Sequence, residues 1–121
     1  MIFTDICFIS RNVLELATFY CEILNVDGDL NGVHSYIEGP GLNIAIYDQE
    51  AAERDGMDFS DAGRGYAYIG FNVEDVDKEF ERLKLMNVRI LSQPQVWPWG
   101  AKSFRFLDPD GNKIVFRSLP Q

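Results

Sequence analysis

Two stretches of this chain share one layout at an offset of about 63 residues, and that repeat constrains the fold more than any other feature. Ile6-Cys7-Phe8-Ile9-Ser10-Arg11-Asn12-Val13 and Ile69-Gly70-Phe71-Asn72-Val73-Glu74-Asp75-Val76 each read as a strand running into a helix. The offset is close to half of the 121 residues, so two copies of one unit are expected. The second copy closes on Asp108-Pro109-Asp110-Gly111-Asn112. Pro109 fixes φ, and Gly111 and Asn112 tolerate positive φ, so this is a tight turn feeding a last apolar strand, Lys113 to Ser118.

With 46% hydrophobic and 25% charged residues, the chain has an ordinary globular composition. No apolar run approaches the ~20 residues of a membrane span, and the N-terminus lacks the regions of a signal peptide; no membrane partner and a cytoplasmic location are expected. The formal net charge of −8 argues against nucleic acid, which calls for basic patches, and admits a cationic ligand. Cys7 and Cys21 fall on a predicted strand and helix and read as reduced packing residues.

The first helix follows Asn12, whose side chain can cap it, with Glu15 in the capping-box position. Val13, Leu16, Ala17, Tyr20, Ile23 and Leu24 recur at three- and four-residue steps, so one face is buried. A short strand is expected near Val26 to Leu30, then strands over Val33 to Glu38 and Leu42 to Tyr47, separated by the Gly39-Pro40-Gly41 turn. Asp48 to Arg64, rich in acidic and small residues, reads as a linker, with Met57 and Phe59 as its apolar anchors. The second unit opens with a strand over Tyr66 to Val73. A helix capped by Asp75 follows, burying Val76, Phe80, Leu83 and Met86. Strands over Val88 to Leu91, Ser103 to Leu107 and Lys113 to Ser118 complete it, with an irregular segment from Ser92 to Gly100. The expectation is an α+β fold in one domain over residues 1–121: a first βαβββ module over about 1–48, a linker over about 49–64 and a second module over about 65–121.

This layout resembles the glyoxalase, bleomycin-resistance and dioxygenase superfamily, also called vicinal oxygen chelate proteins, and within it the metal-free bleomycin-resistance-like branch. The resemblance covers nearly the whole chain. It rests on the two strand-helix openings, the Phe19-Tyr20 pair late in the first helix, the gap between modules and the Asp108 to Phe116 ending. It implies tandem βαβββ modules whose mixed sheet curls around a cavity, and a homodimer. It also implies four metal-ligand positions, which fall here on Asp5, Ala45, Tyr68 and Val115. Of these only Asp5 is a good donor, and one carboxylate cannot hold a catalytic metal that ordinarily needs about three protein ligands. No metal and no cofactor are therefore expected. His34 and Glu38 lie off the ligand positions and do not rebuild the site.

Strand alternation assigns the faces independently. Ile6, Phe8 and Ser10, Ile44 and Ile46, Ile69 and Phe71, and Ile114 and Phe116 belong to the helix-covered core. Asp5, Cys7 and Ile9, Ala45 and Tyr47, Tyr68, Gly70 and Asn72, and Val115 and Arg117 belong to the cavity face. Trp97-Pro98-Trp99-Gly100 places two indoles in an irregular segment, where they either stack on a flat ligand or plug a sheet edge or dimer contact. The ligand-binding set is thus Asp5, Tyr47, Phe59, Tyr68, Trp97, Trp99 and Arg117. Asp5 and Tyr68 are candidates for acid-base work, and Asp5 is alternatively a structural partner of Arg117. The leading expectation is a small-molecule-binding protein without enzymatic activity that sequesters an aromatic compound, a cationic one included, such as an antibiotic. The alternatives are a lyase, isomerase or dioxygenase with an atypical site, and a regulatory or protein-interaction module.

Overall fold

Each half of the chain folds around one sheet with a capped helix laid on it. The computed structural model describes residues 1–60 and 67–119. It divides into two units, Met1–Arg64 and Gly65–Gln121.

In the first unit, β1 (Ile6–Ser10), α1 (Val13–Leu24), β2 (Gly28–Asp29), β3 (His34–Gly39) and β4 (Leu42–Asp48) give a four-stranded sheet in the order β1-β4-β3-β2. β1 runs parallel to β4, and the other pairs are antiparallel. Asn12 caps α1 as its sequence position predicts: its Oδ1 accepts from the Glu15 N–H and its Nδ2 donates to Glu15 Oε2, each at 3.2 Å. Asn25 ends the helix in the left-handed conformation at φ 53°. The buried stripe Val13, Leu16, Ala17, Tyr20 and Ile23 faces the sheet, where the Phe8 ring stacks on Tyr20 at 5.5 Å.

The segment expected to be linker contains a further helix, α2 (Gln49–Arg54), capped by Asp48 Oδ2 accepting from the Ala51 N–H at 2.9 Å. Ala51 and Ala52 form its buried side. Six residues are too few for helical periodicity to stand out from an acidic, small-residue background.

The second unit repeats the plan. β5 (Ile69–Asn72), α3 (Val76–Leu85), β6 (Arg89–Ile90), β8 (Lys102–Leu107) and β9 (Lys113–Ser118) form a sheet in the order β5-β9-β8-β6, with β5 parallel to β9; β7 (Gln95–Val96) pairs with β8 inside the stretch expected to be irregular. Asp75 Oδ1 caps α3, accepting from the Lys78 N–H at 3.1 Å. Val76 and Leu83 are buried, and Phe80 meets Phe104 edge-on at 5.3 Å. The core is aromatic: Phe104, Phe106 and Phe116 are buried together, with Phe106 and Phe116 rings 4.9 Å apart. The molecule is therefore a mixed α+β fold of two βαβββ modules. Residues 61–66, which include the end of the expected linker and the expected strand start at Tyr66, lie outside the described residues. No described helix is long and apolar enough to cross a membrane.

Candidate functional site

β8 and β9 build the site because their alternation separates two kinds of chemistry. Phe104 pairs with Phe116 and Phe106 with Ile114 on the face that α3 covers. The intervening residues point the other way, where Ser103 pairs with Arg117 and Arg105 with Val115. Lys113 shares that face by the same period. From β5, Gly70 lies opposite Val115. A Cβ at Gly70 would stand 3.6 Å from the Arg117 guanidinium carbon and 3.7 Å from Tyr68 Cε2, so these two groups flank a position with no side chain. Arg117 Nε donates to Asn72 Oδ1 at 3.3 Å, which holds the guanidinium over the sheet.

The indoles come from a tight hairpin loop between β7 and β8. The Trp97 N–H donates to the Ala101 carbonyl and the Gly100 N–H to the Trp97 carbonyl, both at 2.8 Å. Gly100 takes φ 97°, a left-handed conformation that closes a three-residue loop at little cost only for glycine. Trp97 and Trp99, on either side of Pro98, stack at 5.4 Å with 9° between planes. Trp97 Nε1 donates to Ser103 Oγ at 2.7 Å, tying the half-buried ring to the sheet, while Trp99 stays 68% exposed.

Together these groups line a cavity of about 400 Å³, within the size range of small-molecule sites. Tyr68, Trp97 and Trp99 supply rings, and Ala101 and Val115 a small apolar floor. Arg105, Lys113 and Arg117 supply three cations, and among the described residues no carboxylate lines the cavity. Four residues of the expected ligand-binding set, Tyr68, Trp97, Trp99 and Arg117, are thus brought together. Arg105, Lys113 and Ser103 were missed, although Ser103-Phe104-Arg105-Phe106 alternates as plainly as Val115-Phe116-Arg117. The expectation of a cationic ligand was drawn from the net charge of −8 and a carboxylate near the rings, whereas the charged groups among the described lining residues are cations.

The rest of the expected set lies in the first unit. Asp5 accepts from Thr4 Oγ1 at 3.2 Å and borders a small hollow with Glu38 and Asn43. The Tyr47 hydroxyl donates to Asp55 Oδ2. That hydrogen bond, with slight desolvation and the carboxylate's charge, raises the phenol above its ordinary value and keeps it protonated. Phe59 is half-buried, Met57 is 49% exposed, and neither is among the residues lining the cavity. His34 is packed against Tyr36 and Tyr47, with ring centroids at 4.4 and 4.9 Å, which gives it a packing role. A second hollow of about 420 Å³ is lined by Asp27, Asp29, Glu38 and Tyr36. These two hollows of the first unit are lined by carboxylates, whereas the cavity beside Trp97 and Trp99 is lined by cations.

The donor set does not fit a catalytic divalent ion. Ala45 and Val115 carry no donor, and Tyr68 offers a phenol. Among the described residues no group of three His, Cys, Asp or Glu side chains could hold a metal.

Both cysteines are free, and Cys7 is exposed, as its place on the open face of β1 requires; it is not the packing residue its strand suggested. Partial desolvation and then the Asp5 charge push its thiol above the ordinary value, so the thiolate is scarcer at neutral pH than in a free cysteine. Iodoacetamide at pH 7 is expected to label Cys7 more slowly than glutathione, with the rate rising as pH rises. Asp5→Asn should accelerate labelling without reaching the glutathione rate, since desolvation remains; the labelled peptide resolved by mass spectrometry checks this. Labelling as fast as glutathione would contradict it.

A family model described as the glyoxalase/bleomycin resistance protein/dioxygenase superfamily matches residues 5–116. Comparison with curated proteins finds no match. Among solved structures, a glyoxalase/bleomycin resistance protein/dioxygenase family enzyme from Burkholderia phytofirmans PsJN is similar at a TM-score of 0.82 and 15% identity, covering 96% of this chain and 97% of that one. A glyoxalase/bleomycin resistance protein/dioxygenase from Nocardioides is similar at 0.78 and 20% identity, covering 98% and 83%. A lactoylglutathione lyase from Agrobacterium tumefaciens is similar at 0.73 and 16% identity, covering 97% and 92%. At these identities the structures speak to the fold alone, whereas the family model spans most of the sequence: the chain belongs to the glyoxalase, bleomycin resistance protein and dioxygenase superfamily.

Proposed function

We propose that this protein captures a flat aromatic small molecule in the cavity of its second unit, without a metal or cofactor and without turning the ligand over. The observation that carries the reading is the stacked Trp97–Trp99 pair beside Tyr68, rings held by a defined loop around about 400 Å³ of space. Trp99 is 68% exposed in the single chain, so its ring is not part of this chain's own core. The poor metal-donor set favours capture over metal-assisted lyase, isomerase or dioxygenase chemistry. A bleomycin-resistance-like role as a cytoplasmic homodimer that sequesters an antibiotic is consistent with this reading. The superfamily's habit of dimerising supports the dimer.

Trp97 and Trp99 are the chain's two tryptophans, so intrinsic fluorescence reports the site directly. Titration with a panel of planar aromatic compounds should quench or shift the emission saturably, with the compound recovered unchanged. Trp99→Ala should weaken binding by about two- to twelvefold, the loss expected when an aromatic contact worth about 0.5–1.5 kcal/mol is removed. Trp97→Ala should cost more because it also removes the bond to Ser103; Trp97→Phe separates loss of the ring from loss of that bond. Unchanged affinity in both alanine variants would make the indoles structural. Conversion of the compound to a product would replace capture with catalysis.

A further inference from the structure

We infer that the ligand of this cavity is an anion: a flat aromatic acid, ionised at neutral pH, whose ring stacks on the indoles while its acid group meets Arg105, Lys113 and Arg117. The inference rests on the capture reading above and adds the charge of what is captured.

The sheet register groups the three cations. Arg105 lies directly opposite Val115, so Lys113 and Arg117, two residues to either side of Val115, are its diagonal neighbours. Such neighbours stand about 7–8 Å apart on one face, within reach of long side chains, and like charges so placed repel. Acidic residues elsewhere on this unit relieve comparable charges: Lys102 pairs with Asp77, Arg82 with Glu79 and Lys84 with Glu81. Among the described residues no carboxylate pairs with Arg105, Lys113 or Arg117, in a chain with 19 acidic residues to 11 basic ones. An anion in the cavity relieves that repulsion. Guanidinium groups suit it, since their planar donor forks match a carboxylate. The overall charge of −8 disfavours a polyanion, whereas one small acid fits the space.

Three probes sharing one naphthalene ring test the sign: 2-naphthoate, 2-naphthamide and 2-naphthylmethylammonium, titrated calorimetrically at low and moderate salt. The expected result is naphthoate binding tighter than the other two by about tenfold or more, as charge-assisted hydrogen bonds allow, with the advantage shrinking as salt rises. Arg105→Gln and Arg117→Gln should each erode that advantage, costing naphthoate several times more affinity than naphthamide. Far-UV circular dichroism shows whether each variant is folded, and Lys113→Gln serves if either fails to fold. Equal affinity for all three probes would overturn the anion inference and leave aromatic capture standing. Tightest binding of the ammonium would overturn it in favour of a cationic ligand. No binding of any probe at millimolar concentration would overturn both readings.

Discussion

Phe116→Ala is expected to destabilise the second unit by about 3–5 kcal/mol, the usual cost of emptying a buried aromatic position. Phe116 is 1% exposed, and its ring meets Phe71, Phe104 and Phe106 at 6.0, 5.9 and 4.9 Å, so the hole cannot be filled by one neighbour moving. The same strand carries Val115 and Arg117 on its other face. Loss of packing on the helix side therefore disorders the cavity wall. Urea unfolding followed by far-UV circular dichroism and by tryptophan emission should show the midpoint falling with both probes. A loss below about 1 kcal/mol, in the range of surface substitutions, would mean that Phe116 is not the centre of this core.

Asp108→Ala should cost about 2–4 kcal/mol, because removing a buried acceptor strands the donors that depended on it. The Asp108 carboxylate is 1% exposed. Its Oδ1 accepts from the backbone N–H groups of Asp110 and Asn112 at 2.9 and 2.8 Å, and its Oδ2 from Asn112 Nδ2 at 2.9 Å. The Asp108 N–H in turn donates to the Asn112 carbonyl at 2.9 Å, and Gly111 takes φ 90°. The side chain thus organises the turn that sets the register of β8 against β9, and with it the pairing of Ser103 with Arg117. Asp108→Asn keeps one acceptor and should recover part of the loss. Equal stability of the alanine variant and the parent in urea would contradict this account of the turn.

That turn was legible in the sequence because its chemistry is local: Pro109, Gly111 and an Asx residue at each end suffice. The helix caps at Asn12 and Asp75 were legible for the same reason, and alternation placed Phe8, Ile114 and Phe116 on the covered face. What escaped notice depends on short elements or on distance in the chain. α2 is six residues long and β7 two, below the length at which periodicity speaks. Trp97 was recognisable as an unusual residue, but its bond to Ser103 and its stack on Trp99 follow from a loop geometry that only Gly100 hinted at. The alternation that places Arg117 on the cavity face also places Arg105 and Lys113 there, whereas Asp5, the carboxylate expected on that face, belongs to the first unit.

The most direct test of the central claim, that the second unit's cavity is where a flat molecule binds, is a proton–nitrogen NMR titration with 2-naphthoate. Two tryptophans give two indole N–H signals. Both should move saturably, together with the backbone amides of Val115 and Arg117, while those of the outer residues of α3 stay in place. Saturable shifts confined to Tyr36 and Glu38 in the first unit, with both indole signals unmoved, would contradict it.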